Sequence, residues 1–428
     1  MYVQNRSDCP TLRRAGALVI AALLSSCGTS LVPEAGENPR PTLPLSTIGF
    51  DPTSTYLENA ANDLFERAEE VDLSGQARVI VGSITGTEDV DVYNLGPVSA
   101  GQHILATMET DSTLDGAIAL FDERGTALLV DDHRNVYLGR AEPFIDVIVR
   151  RPSAACYLAV SAAHGYGADG SYTLTASKET GVAVPAPTPD TVLLVFHGGS
   201  NVRIGGRPTV DVPSFNAAGI SPDYAGQSEA VMAQIVAKVR EDYEGFEVTI
   251  LSTSEGAAFE PDMSRVFFGT FDDALLGIAQ GVDEFNSIKG QSAIVFTDTF
   301  EAFLILRPSV AQMSQAIANV ASHEIGHLLG LVHSDDPEGI MDVTAGLSEL
   351  LLDQVFRRSP IYVEVFPVGF QDEVQSLLDS VGGDPLLVGH EKPHTGREPV
   401  RARTKPHGLP ARQSLPLSTC ALCGLDRR

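Results

Sequence analysis

The chain has 428 residues, enough for two domains at the usual size of roughly 100–200 residues each. With 43% hydrophobic and 20% charged residues it reads as globular, with material for a sizeable core. A formal net charge of -27 at pH 7 argues against nucleic acid or anionic lipid headgroups as partners, and no internal stretch reaches the roughly 20 apolar residues that span a bilayer.

At the N-terminus, Arg13 and Arg14 precede an apolar run from Ala15 to Leu24, followed by Ser25, Ser26 and Cys27. A basic start, a short apolar core and small residues make an export signal rather than a membrane anchor. The run Leu24-Ser25-Ser26-Cys27 resembles the lipobox of bacterial lipoproteins. That resemblance implies a signal peptide over residues 1–27 and lipidation at Cys27. It also implies an exported chain, anchored by lipid to a bacterial membrane and facing the periplasm or the cell exterior. The acyl chains contribute about 0.8 kcal/mol per buried methylene, so such an anchor is stable. The alternative is an ordinary secretory signal in which Cys27 is incidental. With Cys9 removed and Cys27 acylated, Cys156, Cys420 and Cys423 remain, too few for a disulfide framework. Cys420 and Cys423 form a lone CxxC without the second pair of a zinc ribbon.

Residues 28–74 read as a tether followed by a short helix. Pro33, Pro39, Pro41 and Pro44 mark a stretch that cannot bury enough apolar surface to fold. Leu57, Ala60, Leu64 and Ala68 near helical spacing predict an amphipathic helix over Tyr56–Val71. Residues 75–180 change to short strands separated by turns at Gly86, Gly101, Gly125 and Gly170, the pattern of an antiparallel β-sandwich. The runs Gly82-Ser83-Ile84, Asp89-Val90-Asp91-Val92-Tyr93, Leu120-Phe121-Asp122 and Gly170-Ser171-Tyr172-Thr173-Leu174 resemble the bacterial pre-peptidase C-terminal domain. The resemblance covers about a quarter of the chain and implies an accessory module for substrate binding, solubility or surface attachment. Asp89, Asp91, Asp131 and Asp132 offer hard oxygen ligands to Ca2+, or are solvated turn carboxylates.

Pro185, Pro187 and Pro189 make residues 181–190 an extended linker. Residues 191–383 then alternate strand and helix. Thr191–Phe196 is continuously apolar, as a strand buried on both faces requires. Val231, Ile235 and Val239 stripe a helix over Gln227–Phe246. Glu247–Leu251, Arg265–Phe268 and Ala293–Thr297 read as further strands. The fold class is therefore multidomain: an N-terminal antiparallel β-sandwich, then a C-terminal α/β domain with a mixed twisted sheet and a long active-site helix. Residues 384–428 turn basic and Pro-rich, with Arg397, Arg401, Arg403, Lys405 and Arg412, and read as a disordered tail.

The chemistry sits on the late helix, expected from Pro308 to Leu331. It carries His323-Glu324-Ile325-Gly326-His327-Leu328-Leu329-Gly330-Leu331-Val332-His333. Residues four apart project from one side of a helix, so His323 and His327 can reach one zinc ion. Gly330 lets the chain leave the helix and bring His333 round as the third ligand, and three protein ligands leave a fourth position to water. Glu324, between the histidines, is placed to take that water's proton. The remaining histidines, such as His197 and His133, lack paired spacing and read as structural or surface residues.

The string HExxHxxGxxH resembles the metzincin signature, and His333-Ser334 with Gly339-Ile340-Met341 resembles the matrixin branch. The resemblance implies a zinc endopeptidase acting on proteins or peptides, with catalytic Glu324, metal ligands His323, His327 and His333, helix-exit Gly330 and a Met-turn at Met341. It also implies that substrate lies along an edge strand, for which Ala293–Thr297 is the candidate, an interior position being the alternative. Asp342-Val343 stands where matrixins usually carry Tyr-Pro, and their structural zinc and calcium segment and cysteine switch are not recognisable. A second reading is a surface binding or adhesion protein with a non-catalytic metal site, but such a site has no use for a general base at Glu324.

Overall fold

Two five-stranded sheets form the first half of the computed structural model, which describes residues 55–58, 62–111, 113–132, 142–164 and 168–388. In chain order the strands are β1 (Thr55–Leu57), β2 (Glu69–Glu70), β3 (Arg78–Thr85), β4 (Val90–Asn94) and β5 (His103–Thr110), then β6 (Gly116–Phe121), β7 (Ala127–Asp131), β8 (Phe144–Ile148), β9 (Tyr157–Ala162) and β10 (Asp169–Glu179). One sheet runs β1-β3-β10-β5-β8, the other β2-β4-β9-β6-β7. Only the short edge strands are parallel to their neighbours, β1 to β3 and β2 to β4. Ile80, Ile104 and Leu174 of one sheet meet Ile118, Leu120 and Leu158 of the other in a common core. The intervening residues Ala117, Ala119, Phe121 and Ala159 point the other way and are also buried, under Ile361, Val365 and Phe366 from far along the chain. A strand covered on both faces needs apolar residues throughout, which accounts for the unbroken run Gly116–Phe121.

The helix expected over Tyr56–Val71 is corrected. Its described parts are strand β1, a single 3-10 turn at Phe65–Arg67 and strand β2. Isolated amphipathic helices of this length are marginal, and here the two sheet edges take up the backbone hydrogen bonds instead. Leu57 and Leu64, assigned to a buried stripe, are exposed. Cys27, the signal peptide, the tether through Thr47, His133, the basic tail and the Cys420–Cys423 pair lie outside the described residues.

The Pro-rich segment before residue 190 carries no helix or strand, yet it is pinned. Arg150 donates to the Pro185 carbonyl at 2.5 Å, and Thr188 N donates to Ser380 O at 2.8 Å. Beyond it come β11 (Asp190–Val195), β12 (Gly199–Val202), β13 (Val210–Val212), α1 (Ala217–Ile220), α2 (Ser228–Asp242), β14 (Val248–Ser252), β15 (Ser264–Phe268), β16 (Gly277–Ala279) and β17 (Ser292–Val295). The chain continues through α3 (Val310–Leu328), α4 (Leu347–Leu350), β18 (Arg358–Pro360), β19 (Phe370–Asp372) and α5 (Glu373–Ser380). The sheet order is β14-β11-β15-β17-β16, parallel except for β16. Val192, Leu194 and Val266 bury one face against α2 and α3, while Leu193, Val195 and Phe267 bury the other beneath the β12–β13 hairpin. The sandwich and this α/β region fall within one compact unit, Thr42–Arg428.

The strand expected at Ala293–Thr297 is not at the sheet edge. β17 lies between β15 and β16 and is buried along its whole length, which accounts for the apolar run Ala293–Val295 within it. The edge belongs to β16, three residues opened by Gly277.

Calcium finds no support in the four aspartates. Asp89 accepts from Thr85 N and Oγ1 at 2.6 and 2.8 Å, Asp131 accepts from Phe144 N at 2.7 Å, and Asp91 accepts from the Tyr172 hydroxyl at 2.6 Å. Among the described residues none of the four belongs to a cluster of metal-ligating side chains.

Burial lifts the Asp91 carboxyl to about 7, against the opposing pull of the Tyr172 hydroxyl. A carboxyl raised on folding holds its proton in the native state and loses it in the unfolded chain, so its contribution is complete below about pH 4 and drains away up to about pH 7. Asp91→Asn is expected to flatten that part of the stability profile by on the order of 3 kcal/mol, read as the difference between parent and variant in urea unfolding from pH 4 to 8.

Candidate metal centre

Helix α3 starts on a capping box. Ser309 Oγ accepts from Gln312 N at 3.3 Å while Gln312 Oε1 accepts from Ser309 N at 3.0 Å. Ser309, not Pro308, is therefore the boundary residue, and Pro308 lies just outside it. From Met313 onward every residue of α3 is buried, so the helix crosses the core and delivers its C-terminal turn to the site.

That end differs from the expected stop at Leu331. Leu329 caps the helix, and Gly330 adopts φ 100°, in the left-handed region. Gly330 N donates to His327 O at 3.0 Å and Leu331 N to Gly326 O at 2.9 Å, the paired bonds of a Schellman motif. A Cβ on Gly330 would sit 2.9 Å from Asp283 O, so space as well as φ demands glycine. The chain reverses here, and His333 comes back to face the helix.

His323 and His327 rings meet edge to face with centroids 4.7 Å apart, and His333 stands 4.7 Å from His327. The Nε2 atoms of His323 and His333 each lie 3.1 Å from that of His327. One ligand atom from each of the three lies within 4.8 Å of the others, and all three residues are buried. The tautomers follow from the outer shell. His323 Nδ1 donates to Ile340 O and His327 Nδ1 to Leu331 O, both at 2.8 Å. Burial pushes His323 down to about 4 and His327 well below the usual imidazole range, so both rings are neutral at pH 7. Their proton sits on Nδ1, and Nε2 of His323 and of His327 present lone pairs to each other with no proton between them. Such an arrangement is repulsive unless a cation occupies the middle. Nitrogens bound tetrahedrally to zinc at about 2.0–2.1 Å lie roughly 3.3–3.4 Å apart, close to the spacing here. The donor set therefore fits zinc.

Met341 is fully buried, and its sulfur fills the space that any side chain on Gly326 would need. Its neighbour Ile340 supplies the carbonyl that orients His323, and Met341 O accepts from Ser334 N at 2.8 Å. The turn after the third histidine is thus tied to the first. Asp342 closes it, accepting from Asp336 N at 2.8 Å and Thr344 N at 2.9 Å. Glu324 is fully buried one residue after His323, and a Cβ on Gly277 would collide with its carboxylate. His197 lies exposed in a separate loop. Sequence reasoning missed the edge strand with Gly277, the Ile340 carbonyl, and two residues that follow the metal motif at a distance, Gln371 and Glu373. Glu373 is buried, accepts from Ser334 Oγ and Arg357 N at 3.0 Å, and is pushed up to about 8 by that burial. No spacing rule marks such residues, since their partners lie 16 to 39 positions away.

Residues 267–350 match the family model of the matrixins, a span that runs from β15 to α4 and holds all three histidines, Glu324 and Met341. Among solved structures, archaemetzincin from Methanopyrus kandleri is similar over 41% of this chain and 93% of its own, at 16% identity and a TM-score of 0.25. The pre-peptidase C-terminal domain of a Bacillus anthracis collagenase is similar over 26% of this chain and 94% of its own, at 18% identity and a TM-score of 0.21. PliG, a periplasmic lysozyme inhibitor from Aeromonas hydrophila, is similar over 29% of this chain and 99% of its own, at 16% identity and a TM-score of 0.22. The matrixin match and the three-histidine cluster together support a zinc metallopeptidase in general.

A cation among these lone pairs predicts about one zinc per chain by metal analysis after dialysis. His333→Ala is expected to lose most of that zinc while the chain still folds; a variant that keeps full zinc occupancy would remove His333 from the ligand set.

Proposed function

We propose that this chain, whose segment 267–350 matches the matrixins, is a zinc-dependent endopeptidase that hydrolyses peptide bonds of proteins or peptides. The observation that carries the reading is the convergence of three buried imidazoles with a glutamate one residue along the same helix. A zinc ion held by His323, His327 and His333 supplies a Lewis acid that polarises the scissile carbonyl and brings the pKa of a water down to about 7. Glu324 accepts the proton of the attacking water and passes it to the leaving amine nitrogen as the carbon–nitrogen bond breaks. Its setting beside Gly277 supports that role, because the missing side chain lets the carboxylate lie against the sheet edge.

Edge strand β16 supports an extended mode of substrate binding. Leu276 O accepts from Phe296 N at 2.8 Å and Gln280 N donates to Ser292 O at 3.0 Å, so alternate residues pair inward with β17. Gly277 and Ala279 then turn their backbone groups outward, where a peptide strand can add to the sheet. The reading as a binding protein with a non-catalytic metal site is not favoured, since peptide hydrolysis calls for a carboxylate beside three metal-ligating imidazoles and a non-catalytic site does not.

Glu324→Ala is expected to retain zinc and to lose about 10^2- to 10^4-fold in kcat on an unfolded protein substrate. Equal rates in parent and variant would reject Glu324 as the base. We also propose that the chain is exported and anchored through a lipid on Cys27, the run Leu24–Cys27 being the support. Cys27→Ser is expected to move the protein to the soluble fraction in a membrane fractionation; continued membrane association would remove the anchor.

A further inference from the structure

The loop that carries His333 is held from behind, and what holds it is seated on the β-sandwich. Val332, the residue before His333, is clamped by the side-chain amide of Gln371. Val332 N donates to Gln371 Oε1 and Gln371 Nε2 donates to Val332 O, both at 2.8 Å. Gln371 is 4% exposed and both bonds are at least partly buried, where an unmet backbone group is costly. On the other side of His333, Tyr362 N donates to His333 O at 3.0 Å, and Ser334 bridges Ile361. The loop is therefore gripped immediately before and after the ligand.

Both grips rest on the sandwich. Phe370 N donates to Gly125 O at 2.9 Å in the β6–β7 turn, and Phe370 pairs with Thr126. Arg358 lies 3.9 Å over the Phe370 ring and donates to Arg124 O at 2.9 Å. Phe366 packs on Phe121 of β6 with ring centroids 5.7 Å apart. Val332 and Ile361 join the same apolar cluster as the outer face of that sheet. A chain of contacts thus runs from β6 and its turn through Phe370 and Gln371 to Val332 and His333.

We propose that the β-sandwich is a fixed part of the metal site, and that Gln371 is a positioning residue that transmits its seat to His333. This rests on the reading of the three histidines as metal ligands. An accessory module on a tether can move without touching the chemistry; this one cannot, because the third ligand is braced against it. Orienting groups one shell out from a metal set its affinity and geometry without touching it.

The test uses the full chain, emptied by chelator and titrated with cobalt(II), whose visible absorption reports coordination geometry. Gln371→Met keeps the volume and removes both hydrogen bonds to Val332; it is expected to weaken cobalt and zinc retention about 10- to 100-fold and to alter the visible bands. Arg358→Ala loosens the seat on the sandwich from a guanidinium outside the core, so it keeps the test valid if the first variant folds poorly. It is expected to act in the same direction to a smaller degree. Arg151→Ala breaks a different contact between sandwich and α5, the 2.5 Å pair with Asp379, which sits at the far end of that helix from Glu373 and bypasses the Gln371 clamp, and is expected to leave the spectrum and the affinity unchanged. Unchanged metal binding in both Gln371→Met and Arg358→Ala would overturn the buttress and leave the histidine site standing. Equal losses in all three variants would overturn it as well. A parent chain that takes up no cobalt would overturn both this proposal and the metal reading.

Discussion

Neutral imidazole nitrogens of His323 and His327 face each other across 3.1 Å, with their own protons committed to carbonyls behind them, and His333 adds a third ring to the group. That arrangement is electrostatically unfavourable in a dry interior unless a cation sits within it, and much of the surrounding structure exists to maintain it. The Schellman turn at Gly330 reverses the chain to bring His333 back. The turn through Ile340 and Met341 fixes the first ring and fills the space under Gly326. A binding free energy is stored in the folded chain as preorganisation, because the ligands are held in place by bonds that do not involve the ion.

The same logic explains why so much polar backbone is satisfied by side chains near the site. Gln371 replaces a strand partner for Val332, Glu373 joins the Ser334 hydroxyl to the Arg357 amide, and Asp342 closes the turn after Met341. Each is buried, so each bond is costly to lose. Loops this close to a core cannot rely on water. The segment Arg358–Asp372 has two tasks: it pins the ligand loop on one side and covers the outer face of the sandwich on the other. Its apolar contacts turn a sheet that would otherwise face solvent into one buried on both faces.

Sequence patterns served well where structure is local or continuously apolar. The strands of the sandwich and the buried strand at Thr191–Phe196 follow from alternation and from unbroken apolar runs, and the stripe of Val231, Ile235 and Val239 follows helical period. The failures share a cause. Leu57, Ala60, Leu64 and Ala68 have helical spacing, but sheet edges take up the backbone near both ends of that stretch, at β1 and at β2. Ala293–Thr297 reads as a strand without saying where in the sheet it lies, because sheet order is a long-range property. β16 is too short, and too dependent on Gly277, to register as a strand at all.

What the sequence determined by itself is which side chains one helix and its exit bring together. Four-residue spacing on a helix sets two rings on one side, a glycine at the exit allows the left-handed turn, and a glutamate between the rings is fixed by the same period. What only the tertiary structure decided is which distant groups complete that site: the Ile340 carbonyl, the open edge at Gly277, and the Gln371 clamp seated on the sandwich. Helical geometry is written within a few residues, whereas these contacts close loops of up to several hundred residues, and no local period records which partner the folded chain will bring there.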